Sequence, residues 1–314
     1  MVPAYEPDGK LRDSLKSVLA QAPPPAEMQI TVVDDASTPG SVERLVRSID
    51  PSGRVDVVSH GSRLGLAGNW NRAIALARGH FIHLLHQDDA VCPGFYAAID
   101  RGFRHADDIG MAFCRSRIVD DRDRLVKTTS RQKWFAGVLV NWLQTIAERQ
   151  RIQTPAAVVA RSTYEAIGGY RYDLCHALDW EMWVRIASRY RVWYEPRPLA
   201  IYRRHVANET SRLFASGAVW PDMARALRIN AATLPDSLRD ATLAASVRWH
   251  AASAMRTADR QLAAGATAEA AATLRAIPDI LEVLNGRPIE GVATRRLASL
   301  RARLREDALL RRAA

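Results

Sequence analysis

Residues 1–90 alternate apolar runs with amphipathic stretches, and two of the apolar runs end in paired acids. Leu11, Leu15, Val18 and Leu19 lie at helical spacing, a Pro-rich break at Pro23–Pro25 follows, and residues 28–33 (MQITVV) read as a buried strand. A second helix follows Ser41, a strand covers 54–58, and a third helix runs from 68 to 78 with Gly79 as its stop. Residues 81–85 form the next strand. Strands and helices alternating at this length require right-handed crossovers, which bring the carboxyl ends of the strands to one edge. Ligands of open α/β sheets bind at that edge. There the sequence places Val32-Val33-Asp34-Asp35 and Leu84-Leu85-His86-Gln87-Asp88-Asp89. Packing such acids together without a counter-charge is costly, and a divalent cation relieves the cost. One pair alone reads as a solvated loop capping a helix. Two pairs at matching strand ends point to a site.

The pattern is less regular from 90 to 205. Helices are expected at 93–105, 134–149 and 179–190, and strands at 109–113, 118–127, 156–159, 192–194 and 199–202. Beyond 210 the composition shifts to Ala, Leu and Arg at helical spacing. Breaks fall at Pro221, Pro235, Gly265, Pro278 and Gly286, and the two helices about Gly265 resemble a helical hairpin. The net charge is +10, and only four of the 44 basic residues are Lys. Residues 211–314 carry 16 Arg against 10 acids. A solvated helix surface accounts for that excess, and anionic partners such as lipid headgroups are the alternative. The chain has no RRM or KH signature and no interleaved aromatic–basic platform, so a nucleic acid is not an expected partner. Cys92, Cys114 and Cys175 are too scattered for a zinc cluster or a disulfide framework and fit a reducing compartment. The most apolar stretch, 134–147, is interrupted by Asn141 and Gln144 and falls short of the roughly 18 residues of a membrane span. The expected location is cytoplasmic, with peripheral association at the inner face of the cell membrane.

Six segments follow one another along the chain: Pro3-Ala4-Tyr5, Val32 to Ser37, Arg63-Leu64-Gly65, Ala67 to Asn71, Gln87-Asp88-Asp89, and Asp179-Trp180-Glu181-Met182-Trp183. Their order and spacing resemble those of family 2 glycosyltransferases. The resemblance covers 1–205. It implies a GT-A fold: an α/β, Rossmann-like, mixed but mainly parallel sheet flanked by helices, here with an α-helical C-terminal extension. The expected domains are a glycosyltransferase domain at 1–210 and a helical region at 211–314. Within the first, 1–90 would bind nucleotide and 91–210 acceptor. By resemblance, Pro3, Ala4, Tyr5 and Glu6 line the base and ribose, Asp35 reads the base with Asp34 beside it, and Arg63 and Asn71 flank the base and diphosphate. Asp88 and Asp89 match the last two positions of a DXD motif, with Asp89 ligating Mn²⁺ or Mg²⁺ and Asp88 nearer the ribose. Asp179 matches the catalytic base, and His205 a further metal contact. Arg203 is a candidate for the diphosphate or sugar, and Trp180 and Gly169 for the sugars.

The implied reaction is a single inverting transfer from a nucleotide-diphosphate sugar, foremost a UDP-sugar, to a glycan or lipid-linked acceptor, as in bacterial cell-envelope polysaccharide synthesis. The alternative is a non-catalytic nucleotide-sugar-binding scaffold. The Q-x-x-R-W pattern of processive synthases is absent. Gln87 replaces the first acid of the commoner triplet, Leu178 the acid that often precedes the base, and Glu6 a usual Asn. The first strand is expected to be clipped, beginning at Met1-Val2-Pro3. His80, His83 and His86 lie three apart on a strand pattern and so cannot share one metal site. Gly168-Gly169 reads as a turn with positive φ or a close backbone approach.

Overall fold

The computed structural model describes residues 1–204, 213–214, 216–284 and 297–303, which divide into two compact units. The first unit comprises 1–142, 151–173 and 185–205. Its smaller sheet holds β1 (Val2–Ala4), β2 (Thr31–Asp34) and β3 (Asp56–Ser59) in that order, all parallel. Parallel pairing needs crossovers, and α1 (Lys10–Leu19) and α2 (Ser41–Ile49) supply them. Leu11, Leu15 and Val18 of α1 and Val42 and Val46 of α2 are buried, as the helical spacing requires.

The short first strand is held on both flanks. Val2 pairs with Val32 on one side, and on the other the Met1 amine donates to His83 O at 2.9 Å while Leu85 N–H donates to Met1 O at 3.1 Å. Burial pushes that amine down to about 5. The chain continues through α3 (Gly65–Leu76), β4 (Phe81–His83), β5 (Ala90–Val91), α4 (Phe95–Phe103), β6 (Ile109–Val119), β7 (Leu125–Thr128), β8 (Gly137–Val138) and α5 (Trp142–Glu148). It then forms β9 (Ala157–Ala160), α6 (Arg161–Ile167), α7 (Leu178–Ala187) and β10 (Arg191–Arg203). The larger sheet has the order β4-β9-β6-β10-β5, with β7 on β6 and β8 on β10. Mainly parallel pairing thus holds in the smaller sheet. The larger sheet is mixed, and β6–β10 is its parallel pair among the described residues.

The expected elements came out differently in three places. The strand expected at 109–113 runs on to Val119 as the eleven-residue β6, and the strand expected at 118–127 is split by a turn between the end of β6 and β7. The pieces 192–194 and 199–202 merge into β10, whose register shifts between Glu195, Pro198 and Ala200 absorb Pro196 and Pro198 as a bulge. The helix expected at 134–149 contracts to α5. Gly137 at φ 153° and Asn141 at φ 55° break the helical path before Trp142.

The second unit comprises 143–150, 174–184 and 206–314. Its long helices are α8 (Val219–Thr233), α9 (Asp236–Ala263) and α10 (Thr267–Glu282). Ala251, Ala254 and Ala258 of α9 and Leu274, Ile277 and Ile280 of α10 are all buried. Small residues on one helix face allow close approach of its neighbours. Gly265 at φ 73° turns α9 into α10, where Ala266 N–H returns to Gln261 O at 2.8 Å. Pro235 precedes α9 as expected. Pro221 sits in the first turn of α8, where its missing N–H costs nothing, and α10 carries Pro278 within its length. Gly286 lies outside the described residues. A boundary at 210 follows the change in composition, whereas compactness groups 143–150 and 174–184 with the C-terminal helices.

Candidate functional site

At the end of β2, both acids are buried and bonded to main chain. Asp34 Oδ1 accepts Ser37 N–H at 3.2 Å and the Ser37 hydroxyl, closing the turn after the strand. Asp35 Oδ1 accepts Leu64 N–H at 2.7 Å, and Oδ2 accepts Gly65 N–H at 3.0 Å. A carboxylate at the first N–H groups of α3 satisfies donors the helix cannot use and complements its dipole. The same carboxylate lies 3.8 Å from Arg63 Nε, and the Arg63 guanidinium sits 3.7 Å from the centroid of the exposed Tyr5 ring. Glu6, at φ 41°, accepts Thr38 N–H at 2.9 Å through Oε1, and its own N–H donates to Ser37 Oγ at 2.8 Å. Pro3 and Ala4 are buried in β1. Tyr5, Glu6, Asp35 and Arg63 therefore meet at one sheet edge.

The loop after β4 brings the second acidic pair to the same unit. Gln87 pairs reciprocally with the Tyr5 main chain: Tyr5 N–H donates to Oε1 at 2.8 Å, and Nε2 donates to Tyr5 O at 3.2 Å. An acid could accept there but not donate, which accounts for the amide. Asp88 is partly exposed, whereas Asp89 is fully buried. Asp89 Oδ1 accepts Arg203 N–H at 2.9 Å, and Oδ2 lies 3.3 Å from His86 Nδ1. Burial, and then the neighbouring Asp88 charge, push the Asp89 carboxyl up to about 6. The His86 ring stacks on Trp70 at 4.9 Å. One ligand atom from each of His86, Asp88 and Asp89 falls within 4.8 Å of the others. One imidazole and two carboxylates, with one acid strongly desolvated, could hold a divalent cation. His83 belongs to other contacts, 3.0 Å from Pro155 O and 3.2 Å from the Tyr96 hydroxyl, and burial pushes it down to about 3.

Arg203, expected at the diphosphate or sugar, is held by groups of the fold. Its side chain is 6% exposed, with Nε on Asp123 at 2.6 Å, one terminal nitrogen on Asp88 O at 2.9 Å and the other on Asp13 at 3.2 Å. The guanidinium is engaged on all three nitrogens and ties the Asp88–Asp89 loop to β10 and α1. Asn71 likewise clamps Tyr170, accepting its N–H at 2.7 Å and donating to its carbonyl at 2.8 Å. A Cβ on Gly169 would lie 2.2 Å from Asn71 Oδ1, so the close approach at this glycine is made by a side chain of the fold. Gly168 supplies the positive φ, at 83°.

In the second unit, α7 carries Asp179 in its first turn. Asp179 is half-buried, and its Oδ1 accepts Trp180 N–H at 2.6 Å. The segment leading into the helix hangs on Asp222 of α8, which accepts N–H groups from Cys175 at 3.0 Å and from His176 and Ala177 at 2.8 Å each. Trp180, expected against an acceptor sugar, is fully buried: it stacks on His250 at 4.9 Å and its indole N–H donates to Ile146 O at 2.7 Å. No face of that ring is open to a sugar. Desolvation drives His250 down to about 4, a neutral ring that suits an apolar stack. His205 lies outside the described residues. His86, Arg203 as a clamp, and Asp222 were not read from the sequence. His86 carried a signal, since it occupies the same loop as the two acids.

The model of the family "Glycosyl transferase family 2" matches residues 1–167. Among curated proteins, the chain is 28% identical over 226 residues to the uncharacterized protein MT1568 of Mycobacterium tuberculosis, covering 68% of this chain and 69% of that one. The uncharacterized glycosyltransferase MJ1057 of Methanocaldococcus jannaschii is 20% identical over 190 residues, or 59% of this chain and 63% of that one. Among solved structures, residues 1–349 of S. aureus TarS in complex with UDP-GlcNAc align with a TM-score of 0.62 at 18% identity, covering 98% of this chain and 87% of that one. The mannosyltransferase PcManGT from Pyrobaculum calidifontis, in complex with GDP-Man and Mn²⁺, aligns at 0.54 and 19%, covering 98% and 84%. At these identities the likeness is one of fold, and that fold is GT-A.

Proposed function

This chain belongs to glycosyl transferase family 2, and from that premise we propose that it transfers one sugar, with inversion, from a nucleoside-diphosphate sugar to a saccharide or lipid-linked acceptor at a membrane surface. The observation that carries the reading is the convergence of Tyr5, Asp35 and Arg63 with the His86, Asp88 and Asp89 cluster inside one unit. TarS bound to UDP-GlcNAc and PcManGT bound to GDP-Man and Mn²⁺ share the fold and support a donor of this class.

In this reading the Tyr5 and Arg63 pair faces the nucleoside, with Asp35 holding the start of α3 in place beside it. Asp88 and His86 would hold a divalent cation, Mn²⁺ foremost, with the buried Asp89 contributing its Oδ2 edge. When bound, that cation neutralises charge building on the diphosphate leaving group. Asp88 is the more open of the two carboxylates, so it is the first the donor meets, while Arg203 fixes its main chain from behind. Asp179 is the proposed general base. It takes the proton of an acceptor hydroxyl as that oxygen attacks the anomeric carbon, and the nucleoside diphosphate departs from the opposite face. One displacement without a covalent intermediate inverts the centre. Mutation tests the assignment: Asp88→Ala should abolish Mn²⁺-dependent nucleotide binding, and Asp179→Asn should leave binding intact and remove transfer. Normal transfer by Asp179→Asn would refute the base.

A further inference from the structure

Three of the four most exposed large apolar side chains described in the first unit lie in one short segment, the fourth being Tyr172. Trp134 is 75% exposed, Phe135 78% and Val140 83%. Soluble surfaces seldom display adjacent Trp and Phe at such exposure without something to cover them. The segment is nonetheless well anchored at its base. Gln132 N–H donates to the buried Tyr194 side chain at 3.1 Å, Gly137 and Val138 pair with Tyr194 and Trp193 of β10, and Leu139 N–H reaches Val192 O at 3.0 Å. Residues 134–136 are therefore a tip held out from the sheet by fixed main chain.

The chain through the tip carries charge of one sign. From 124 to 147 there is no acid; Arg124 is paired with Asp120, and Lys127, Arg131 and Lys133 are basic. The Arg131 guanidinium lies 4.3 Å from the centroid of the Trp134 ring, and Lys133 Nζ reaches Val138 O at 3.4 Å. An indole and a phenyl ring at the apex, flanked by Arg131 and Lys133, match an interface where an anionic layer covers hydrocarbon. Trp favours the headgroup level, its neighbour enters the acyl boundary, and Lys and Arg meet lipid phosphates. A saccharide would use the ring faces but has no need of the surrounding cations, and a basic protein surface would be repelled by them.

We infer that residues 131–140 form a membrane-docking tip, with Trp134 and Phe135 entering an anionic phospholipid bilayer while Arg131 and Lys133 bind its headgroups. The inference rests on the proposed membrane-surface acceptor and names the part of the chain that reaches it.

The test is co-sedimentation of the full 314-residue chain with phosphatidylcholine vesicles, with and without phosphatidylglycerol. The expected result is binding only when phosphatidylglycerol is present. Trp134→Ala/Phe135→Ala and Arg131→Gln/Lys133→Gln should each weaken it by about tenfold or more. Titration of the same proteins with UDP and GDP in the presence of Mn²⁺ should give unchanged nucleotide affinity. Binding to neither vesicle, or equal binding by wild type and both double variants, overturns the docking tip and leaves the donor site standing. Self-association in vesicle-free solution that Trp134→Ala/Phe135→Ala abolishes would assign the tip to a second copy of the chain and also overturn it. Failure to bind any nucleotide, with vesicle binding intact, would strike the transferase reading alone.

Discussion

Asp222 is the strongest single test of how the second unit presents Asp179. Its two oxygens take three main-chain N–H groups, from Cys175, His176 and Ala177, at 2.8 to 3.0 Å. The carboxylate is 5% exposed, so the donors it satisfies have little water to replace it. Hydrogen bonds to a charged acceptor contribute about 1.5–3 kcal/mol each, and a buried donor left unsatisfied costs about 1–3 kcal/mol. Ala177 is buried, His176 half-buried and Cys175 exposed, so the three losses are unequal and partly offset by water. Asp222→Ala should therefore lower the stability of the second unit by about 3–5 kcal/mol. Asp222→Asn keeps one acceptor oxygen, enough for the His176 and Ala177 pair, and should cost about 1–2 kcal/mol. Urea unfolding followed by tryptophan fluorescence reads both, since Trp180, Trp183 and Trp220 are buried in that unit. With Asp179 as the proposed base, Asp222→Asn should also lower kcat more than it raises the donor KM, because none of the proposed donor-binding residues belongs to the second unit. A stability loss below about 1 kcal/mol for Asp222→Ala would mean that the carboxylate does not hold the start of α7, since that is less than one such bond supplies.

Other consequences can be checked alongside it. Gly169→Ala puts a methyl 2.2 Å from Asn71 Oδ1 and should destabilise by about 1–3 kcal/mol; adding Asn71→Ala should recover part of the loss in the same urea titration. Arg203→Met keeps the main-chain N–H on Asp89 but removes the guanidinium from Asp13, Asp123 and the Asp88 carbonyl. The two acids left behind are largely exposed, so it should cost about 1–3 kcal/mol and, by freeing the Asp88–Asp89 loop, weaken Mn²⁺-dependent nucleotide binding by calorimetry. His250 titrates at about 4 when folded against 6.5 when unfolded. Between those values the unfolded chain holds the extra proton, so stability present above pH 6.5 is lost as the pH falls toward 4. That amounts to about 2 kcal/mol between pH 7 and pH 5, and His250→Phe should flatten this part of the pH profile.

The carboxyl-end acids were legible because local pattern suffices for them: an apolar run, then two carboxylates, twice over. The alternation of strands and helices likewise marked the order of β1 through β4. What the pattern missed depends on partners far along the chain. Arg203 reads as half of a basic pair, and only its packing against Asp13, Asp88, Asp89 and Asp123 shows that it is a clamp. Trp180 beside Asp179 read as a sugar platform, yet α9 supplies His250 to cover it. The apolar 134–147 stretch read as a helix. Gly137 and Asn141, both at positive φ, divide it into an exposed tip and a short helix instead.

The proposed donor site is metal-dependent and built from the ends of β2 and β4. Isothermal titration of the chain with UDP and with GDP, each with and without Mn²⁺, reads that dependence. One nucleotide should bind only when Mn²⁺ is present, and Asp88→Ala should remove the binding. Nucleotide binding that is indifferent to Mn²⁺ and to Asp88→Ala would contradict the proposed site.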